Sequence, residues 1–392
     1  MKQSPIKNIV RQLTRLGVFA VALATAQTTF AAEPAPSKWT YSSGLMRPFW
    51  NGDTMTGESV LFVKDANGKQ ARASTLFPIE GLLAIHNSTG ELTYEEGRDY
   101  LWKPGAREIV LPAGSRIVSR APAQLRVPHD SQKYKLTHRD GKSEIMFGAK
   151  LEYHALQASI TYTHKPGLWK TPTSQFDEKA LPNVIGKLRR KEPLRILVMG
   201  DSISTGCNAS GWADGPPFQP AYPELLRHHL EIQYGGKVDL KNISIDGKNA
   251  RTGVGQCEQV VAAKPDLVIV AFGMNDSAGR PTDDFRKDIA AIIAKVRADL
   301  PDSEFILVAT MLGNRDWPRL NQERFPQFRD ALTSLCGQGV ALADLTAVWT
   351  EFLKHKKFSD LTGNGVNHPN DFGHRVYAQV IAALLTPPGA PR

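Results

Sequence analysis

A chain of 392 residues exceeds what one hydrophobic core usually supports, so two domains are expected. The formal net charge is +9, but four of the positive charges, Lys2, Lys7, Arg11 and Arg15, precede an apolar run from Leu16 to Ala26. Without that leader, which carries no acid, the charge falls to +5 and is spread among acidic residues, which argues against a nucleic-acid-binding protein; the one dense run, Lys187 to Lys191, reads as a solvated face.

Small residues at Ala31 and Ala32 complete the layout of a secretory signal peptide over residues 1–32, which predicts an exported protein, periplasmic or secreted. A membrane anchor needs roughly 20 apolar residues. Gln27, Thr28 and Thr29 interrupt the run too early, so stable membrane insertion is not expected. Export permits disulfides, and Cys207 with Cys257 is the more plausible pair; three unpaired thiols are the alternative, with Cys336 buried in an apolar helical stretch. No Cys/His cluster has metal-ligand spacing, so neither a metal nor a cofactor is expected.

From Trp39 to about Lys165 the apolar residues alternate with a period of two between turn dipeptides, which predicts an antiparallel all-β domain, a sandwich or jelly roll. Ser59 to Lys64 runs into Asn67-Gly68, a pair suited to a turn with positive φ. A second hairpin is expected around Asp140-Gly141, between Lys135–His138 and Ser143–Phe147, and a further strand at Ser159–Thr163. Trp39, Trp50, Tyr100 and Trp102 either stack on sugar or fill the core of this domain.

Residues 166–193 are rich in Pro, Gly and charge and read as a linker. Over 194–386 the rhythm changes. Short apolar runs at Arg195–Gly200, Val238–Ile245, Asp266–Phe272, Glu304–Thr310 and Gly339–Asp344 alternate with helical stretches such as Pro220–Tyr234, Thr282–Leu300 and Gln322–Cys336. This predicts a parallel sheet covered on both faces, with active residues at the carboxyl ends of the strands.

Ser202, in Gly200-Asp201-Ser202, directly follows the first of these strands, where a serine is exposed on a strand-to-loop turn and suits a nucleophile; the same tripeptide also serves as a capped turn. The loops after the second and third strands carry Gly247 and Asn275. A glycine N–H and an asparagine amide there, together with the Ser202 N–H, can form an oxyanion hole, or each can be an ordinary turn or cap. His368 lies in Asn367-His368-Pro369-Asn370 before the last helix, within reach of Ser202, whereas His374 falls inside the helical pattern and reads as a packing residue. The loop from Gly206 to Pro220, with Trp212 and Phe218, either walls the site or packs on itself.

Taken in order, Gly-Asp-Ser, the loop to Gly247, Gly-x-Asn-Asp and His-Pro-Asn resemble the SGNH hydrolase, or GDSL esterase, family over about residues 194–386. The resemblance implies a three-layer α/β/α, flavodoxin-like fold and ester hydrolysis through an acyl-enzyme, with hallmark positions at Ser202, Gly247, Asn275 and His368. An exported hydrolase behind a β-sandwich resembles the carbohydrate-esterase branch, which removes acetyl groups from polysaccharides. The substrate expected is therefore an acylated small molecule or polysaccharide, with a lipase or lysophospholipase, or a non-catalytic carbohydrate-binding protein, as rivals. One position departs from the family. The aspartate usually found three residues before the histidine is Gly365 here, so His368 is oriented by Asp360, by a backbone carbonyl, or by Asn364 or Asn367. If His368 is the base, activity rises as its imidazole loses a proton, around pH 6.5 before burial and partners shift it.

Overall fold

The computed structural model describes residues 38–388; the expected signal peptide lies outside them. After one helical turn, α1 (Ser43–Met46), the strands are β1 (Thr54–Lys64), β2 (Ala71–Ser74), β3 (Gly81–Asn87), β4 (Leu101–Trp102), β5 (Glu108–Val110), β6 (Ser119–Arg120), β7 (Arg126–Val127), β8 (Glu144–Ile145) and β9 (Gln157–Thr163). Seven of them form one sheet in the order β3-β9-β1-β2-β5-β4, with β6 also on β1. The long β1 makes this possible by changing partners along its length. Thr54 to Leu61 pair with β9, and Phe62 to Lys64 pair with β2 and β6. Pairing in this sheet is antiparallel except between β1 and β6, which run parallel.

Both expected turns form. Gly68 adopts φ +71° between β1 and β2, and Gly141 adopts φ +67° in a hairpin where the His138 N–H donates to the Ser143 carbonyl at 2.9 Å. Trp39 and Tyr100 are buried in the core, and Trp50 and Trp102 pack against it, which favours the core role over sugar stacking.

Within 166–193 the chain forms a helix, α2 (Pro182–Arg189), whose basic end is ion-paired: Lys187 with Asp266 at 2.7 Å and Arg190 with Glu192 at 2.7 Å. The α/β half then runs β10 (Leu194–Gly200), α3 (Ser202–Thr205), α4 (Tyr222–Tyr234), β11 (Val238–Asn242), α5 (Ala250–Gly255), α6 (Cys257–Ala263), β12 (Leu267–Ala271), α7 (Thr282–Asp299), β13 (Glu304–Ala309), α8 (Arg324–Thr333), β14 (Val340–Asp344), α9 (Leu345–His355), α10 (Phe358–Leu361) and α11 (Asp371–Leu385). Its five strands are parallel in the order β11-β10-β12-β13-β14. The order reverses beside β10, and such a switch point opens a crevice at the strands' carboxyl ends.

Alternate side chains of these strands enter two different cores. Leu197, Met199, Val268, Val270, Phe305 and Leu307 pack against α5 to α8. Ile196, Val198, Ile269, Ile306 and Val308 face the other way, toward α2, α4, α9 and α11. That second core continues into the antiparallel half through Val60, Phe62, Ile160 and Tyr162. The two sheets therefore share apolar contacts and are not separately closed.

Candidate active site

β10 ends at Gly200, where a Cβ would fall 2.6 Å from the Ala271 carbonyl oxygen of β12; only glycine lets the strand ends lie this close. Asp201 then caps α3, its Oδ1 accepting the Ile203 N–H at 3.0 Å. Ser202 is thus the first residue of a helical turn, where backbone N–H groups have no partner within the helix.

The Ser202 hydroxyl lies 2.8 Å from Nε2 of His368. On the far side of the ring, Nδ1 lies 2.7 Å from Oδ1 of Asn208. The amide of Asn208 has a defined sense, because its Nδ2 faces the carbonyls of Gly148, Lys150 and Gly363 at 3.2, 3.0 and 3.2 Å. Its oxygen is then the atom turned to the ring, so Nδ1–H donates to Asn208 and Nε2 accepts from the Ser202 hydroxyl.

The histidine loop is folded around Asn364. Its Oδ1 accepts the N–H groups of Val366, Asn367 and His368 at 2.8, 2.9 and 3.1 Å. The Thr362 hydroxyl and the Gly363 N–H both donate to the His368 carbonyl, at 2.9 and 3.0 Å. Burial, helped by the nearby His374, holds the His368 imidazole down at about 4; Asp246 opposes the shift. The shift that burial was expected to impose on the 6.5 reference therefore runs toward acid.

Gly247 (φ +72°) sits in the turn after β11, closed by the Lys248 N–H on the Ile245 carbonyl at 3.2 Å. Asn275, beyond β12, donates from Nδ2 to the Lys248 carbonyl at 2.9 Å, with Asp201 Oδ2 at 3.5 Å. A third tie runs from the Thr205 hydroxyl to Asp246 Oδ1 at 2.6 Å. The loops bearing Ser202, Gly247, Asn275 and His368 are therefore brought to one rim. Burial pushes the Asp201 carboxyl up to about 7, and the carboxylates of Asp276 and Asp246 add to it.

Asp360 is elsewhere. Its Oδ1 accepts the Leu61 N–H of β1 at 2.8 Å and its Oδ2 the Lys357 N–H at 2.9 Å, so it joins α10 to the antiparallel half and does not orient the ring. Asn364 and Asn367 bond each other at 3.0 Å instead. The orienting contact comes from Asn208, which sequence reasoning missed; the only signal was an asparagine in the loop after the serine. His374 lies in α11, stacked on Tyr222 with ring centroids 6.4 Å apart, as a packing residue.

The cysteines are free, which corrects the pairing of Cys207 with Cys257. Each thiol points at an acceptor in its own neighbourhood: Asp246 for Cys207, the Gly253 carbonyl for Cys257 and the Leu332 carbonyl for the half-buried Cys336. In the loop after α3, Trp212 is exposed, whereas Phe218 packs on the core. Among the described residues, no group of three or more His, Cys, Asp or Glu is placed to hold a metal ion, and no helix is long and apolar enough to cross a membrane.

Comparison with known structures finds a two-domain esterase (CEX) active on acetylated mannans, 20% identical with a TM-score of 0.42. That match takes in 56% of this chain and 58% of the other, a little over half of its length. An acetyl xylan esterase, AlAXEase, is 23% identical with a TM-score of 0.38, over 48% of this chain and 99% of that one. A carbohydrate esterase of family 3 from Talaromyces cellulolyticus is 15% identical with a TM-score of 0.38, over 48% and 94%. Comparison with curated proteins finds no match. Residues 198–376, which hold all four loops of the rim, match the GDSL-like lipase/acylhydrolase family.

Proposed function

We propose that the protein is an exported serine esterase that removes acyl groups, chiefly acetyl, from carbohydrate. The observation that carries this reading is the 2.8 Å contact between the Ser202 hydroxyl and Nε2 of a ring whose other nitrogen is already committed as a donor. In the proposed reaction Ser202 Oγ attacks the ester carbonyl carbon while His368 Nε2 takes its proton. The carbonyl oxygen becomes an oxyanion and accepts from the N–H groups of Ser202 and Gly247 and from Asn275 Nδ2. One Asn275 N–H is held by Lys248, and the other has only a long contact to Asp201, which leaves it available. Collapse of the intermediate expels the alcohol, protonated by His368, and water then repeats the cycle to release the acid.

A short acyl group is supported by the polar groups that tie the rim together, the Thr205 hydroxyl on Asp246 and Asn275 Nδ2 on the Lys248 carbonyl. Among the described residues, the groove of about 580 Å³ with aromatic walls, at Tyr41, Trp50 and Phe176, contains none of the four hallmark residues. The carbohydrate part of the proposal rests on the resemblance to the esterase branch in which a β domain precedes the hydrolase fold.

The test is acetate release from p-nitrophenyl acetate and from acetylated xylan by the native chain and by Ser202→Ala. Serine-dependent release from both, with acetyl preferred over octanoyl esters, is expected. Binding of xylan with no serine-dependent release would show a non-catalytic carbohydrate-binding protein, and a preference for octanoyl would show a lipase-type acylhydrolase.

A further inference from the structure

We infer that Asn208 is the positioning residue of His368 and that the loop of residues 146–150, from the antiparallel half, holds it in place. The inference rests on the Ser202–His368 reading above.

Three observations carry it. Asn208 is 1% exposed and has φ +66°, a left-handed conformation that asparagine tolerates better than most residues. Its two Nδ2 hydrogens are shared among three carbonyl oxygens at 3.0–3.2 Å. A carboxylate in the same place would set an oxygen against all three, so the pocket selects an amide. Those carbonyls come from two segments far apart in sequence, Gly148 with Lys150, and Gly363 in the histidine loop.

The packing around this cluster excludes the alternatives. A Cβ on Gly363 would lie 2.6 Å from Cβ of Asn208, so glycine is needed for the loops to meet. Gly365 has φ +86°, and a Cβ there would overlap the Met146 carbonyl oxygen. A side chain three residues before the histidine is therefore shut out by the antiparallel half, and the orienting group comes from the loop after α3.

Burial, with no charged partner on Nδ1, sets the proton affinity of the ring. The charged or titratable groups acting on His368 are His374 of α11, which lowers it, and Asp246 beyond β11, which raises it weakly; burial outweighs both. No carboxylate is hydrogen-bonded to Nδ1, so the base stays neutral well into acid.

The experiment compares wild type, N208D and N208A by acetate release from pH 3 to 9, with thermal melting of each. N208D should raise the acid limb of kcat/KM by about one pH unit or more, because an adjacent anion favours imidazolium. N208A should lose about 100-fold or more in kcat with KM within about threefold. Wild-type kcat in a folded N208A, or an acid limb for N208D that coincides with wild type, overturns the assignment. Wild-type protein alone gives a further decision, whether or not the variants fold. Long-range ¹H–¹⁵N NMR should show His368 as the Nδ1–H tautomer, and an Nε2–H tautomer rules the inference out. Undiminished turnover by Ser202→Ala would instead remove the esterase reading itself.

Discussion

Lys356 and Glu58 meet inside the molecule, ammonium against carboxylate, with neither side chain exposed. Glu58 lies on β1 and also accepts the Leu76 N–H at 2.8 Å and the Tyr162 hydroxyl at 2.6 Å, whereas Lys356 follows α9. Replacing Lys356 by Met strands a buried carboxylate, which typically costs about 3–5 kcal/mol. Urea unfolding should show a correspondingly lower midpoint. Because the pair joins β1 to the end of α9, tryptophan fluorescence and activity should be lost in one transition; two separate transitions would contradict the shared core.

Ser202→Ala and His368→Ala should each lower kcat for p-nitrophenyl acetate by on the order of 10⁴-fold or more. Melting temperatures should stay close to wild type, since each removes a side chain at the rim and not a core contact. A His368→Ala enzyme within tenfold of wild type would place the base elsewhere.

Asn275→Ala removes an amide donor from the oxyanion site while leaving the nucleophile and base intact. Loss of one such donor elsewhere costs about 10²–10³ in kcat. The loss should appear in kcat with KM nearly unchanged, in steady-state assays on an acetyl ester. An effect confined to KM would mean that Asn275 contacts the ground state only.

The pH dependence follows from the low proton affinity of His368. Its imidazole must be neutral to take the Ser202 proton, and it becomes protonated only as pH falls through about 4. kcat/KM should therefore be flat down to about pH 5 and fall about tenfold per unit below pH 4. A limb centred near 6.5 would mean that the ring is more hydrated, or closer to a carboxylate, than the structure places it.

Asp360→Asn separates stability from rate. Both carboxylate oxygens accept backbone N–H groups, and an amide would turn its NH₂ toward one of those donors. Stability should drop by about 1–3 kcal/mol in a denaturant titration. kcat/KM at 25 °C should stay within about threefold of wild type, because the carboxylate does not reach the imidazole.

The parallel sheet was legible because its strands are buried on both faces and therefore read as short unbroken apolar runs, as in Leu267–Ala271. The last helix was legible from its start signal, since Asn370 accepts the Gly373 N–H at 3.0 Å. Less legible was α9, which follows β14 with no intervening turn and so gives no boundary to read. Ser202 and His368 could be paired from order along the chain because the fold delivers both to one rim. Asn208 could not, because its role depends on carbonyls of Gly148 and Lys150, and backbone acceptors leave no mark in side-chain spacing. Asp360, one of the alternatives left open, drops out for a related reason. It is close to His368 in sequence, yet α10 carries its carboxylate away to the backbone of β1.

The convergence on Asn208 bears on how the protein can be taken apart. A fragment beginning at residue 194 would retain every side chain proposed to touch substrate, yet would lose two of the three carbonyls gripping the amide, those of Gly148 and Lys150. Swapping in a foreign β module would not restore them unless it rebuilt the same short stretch of main chain. The front half thus reaches the base at one remove, through the amide that meets its ring, and is not a detachable accessory.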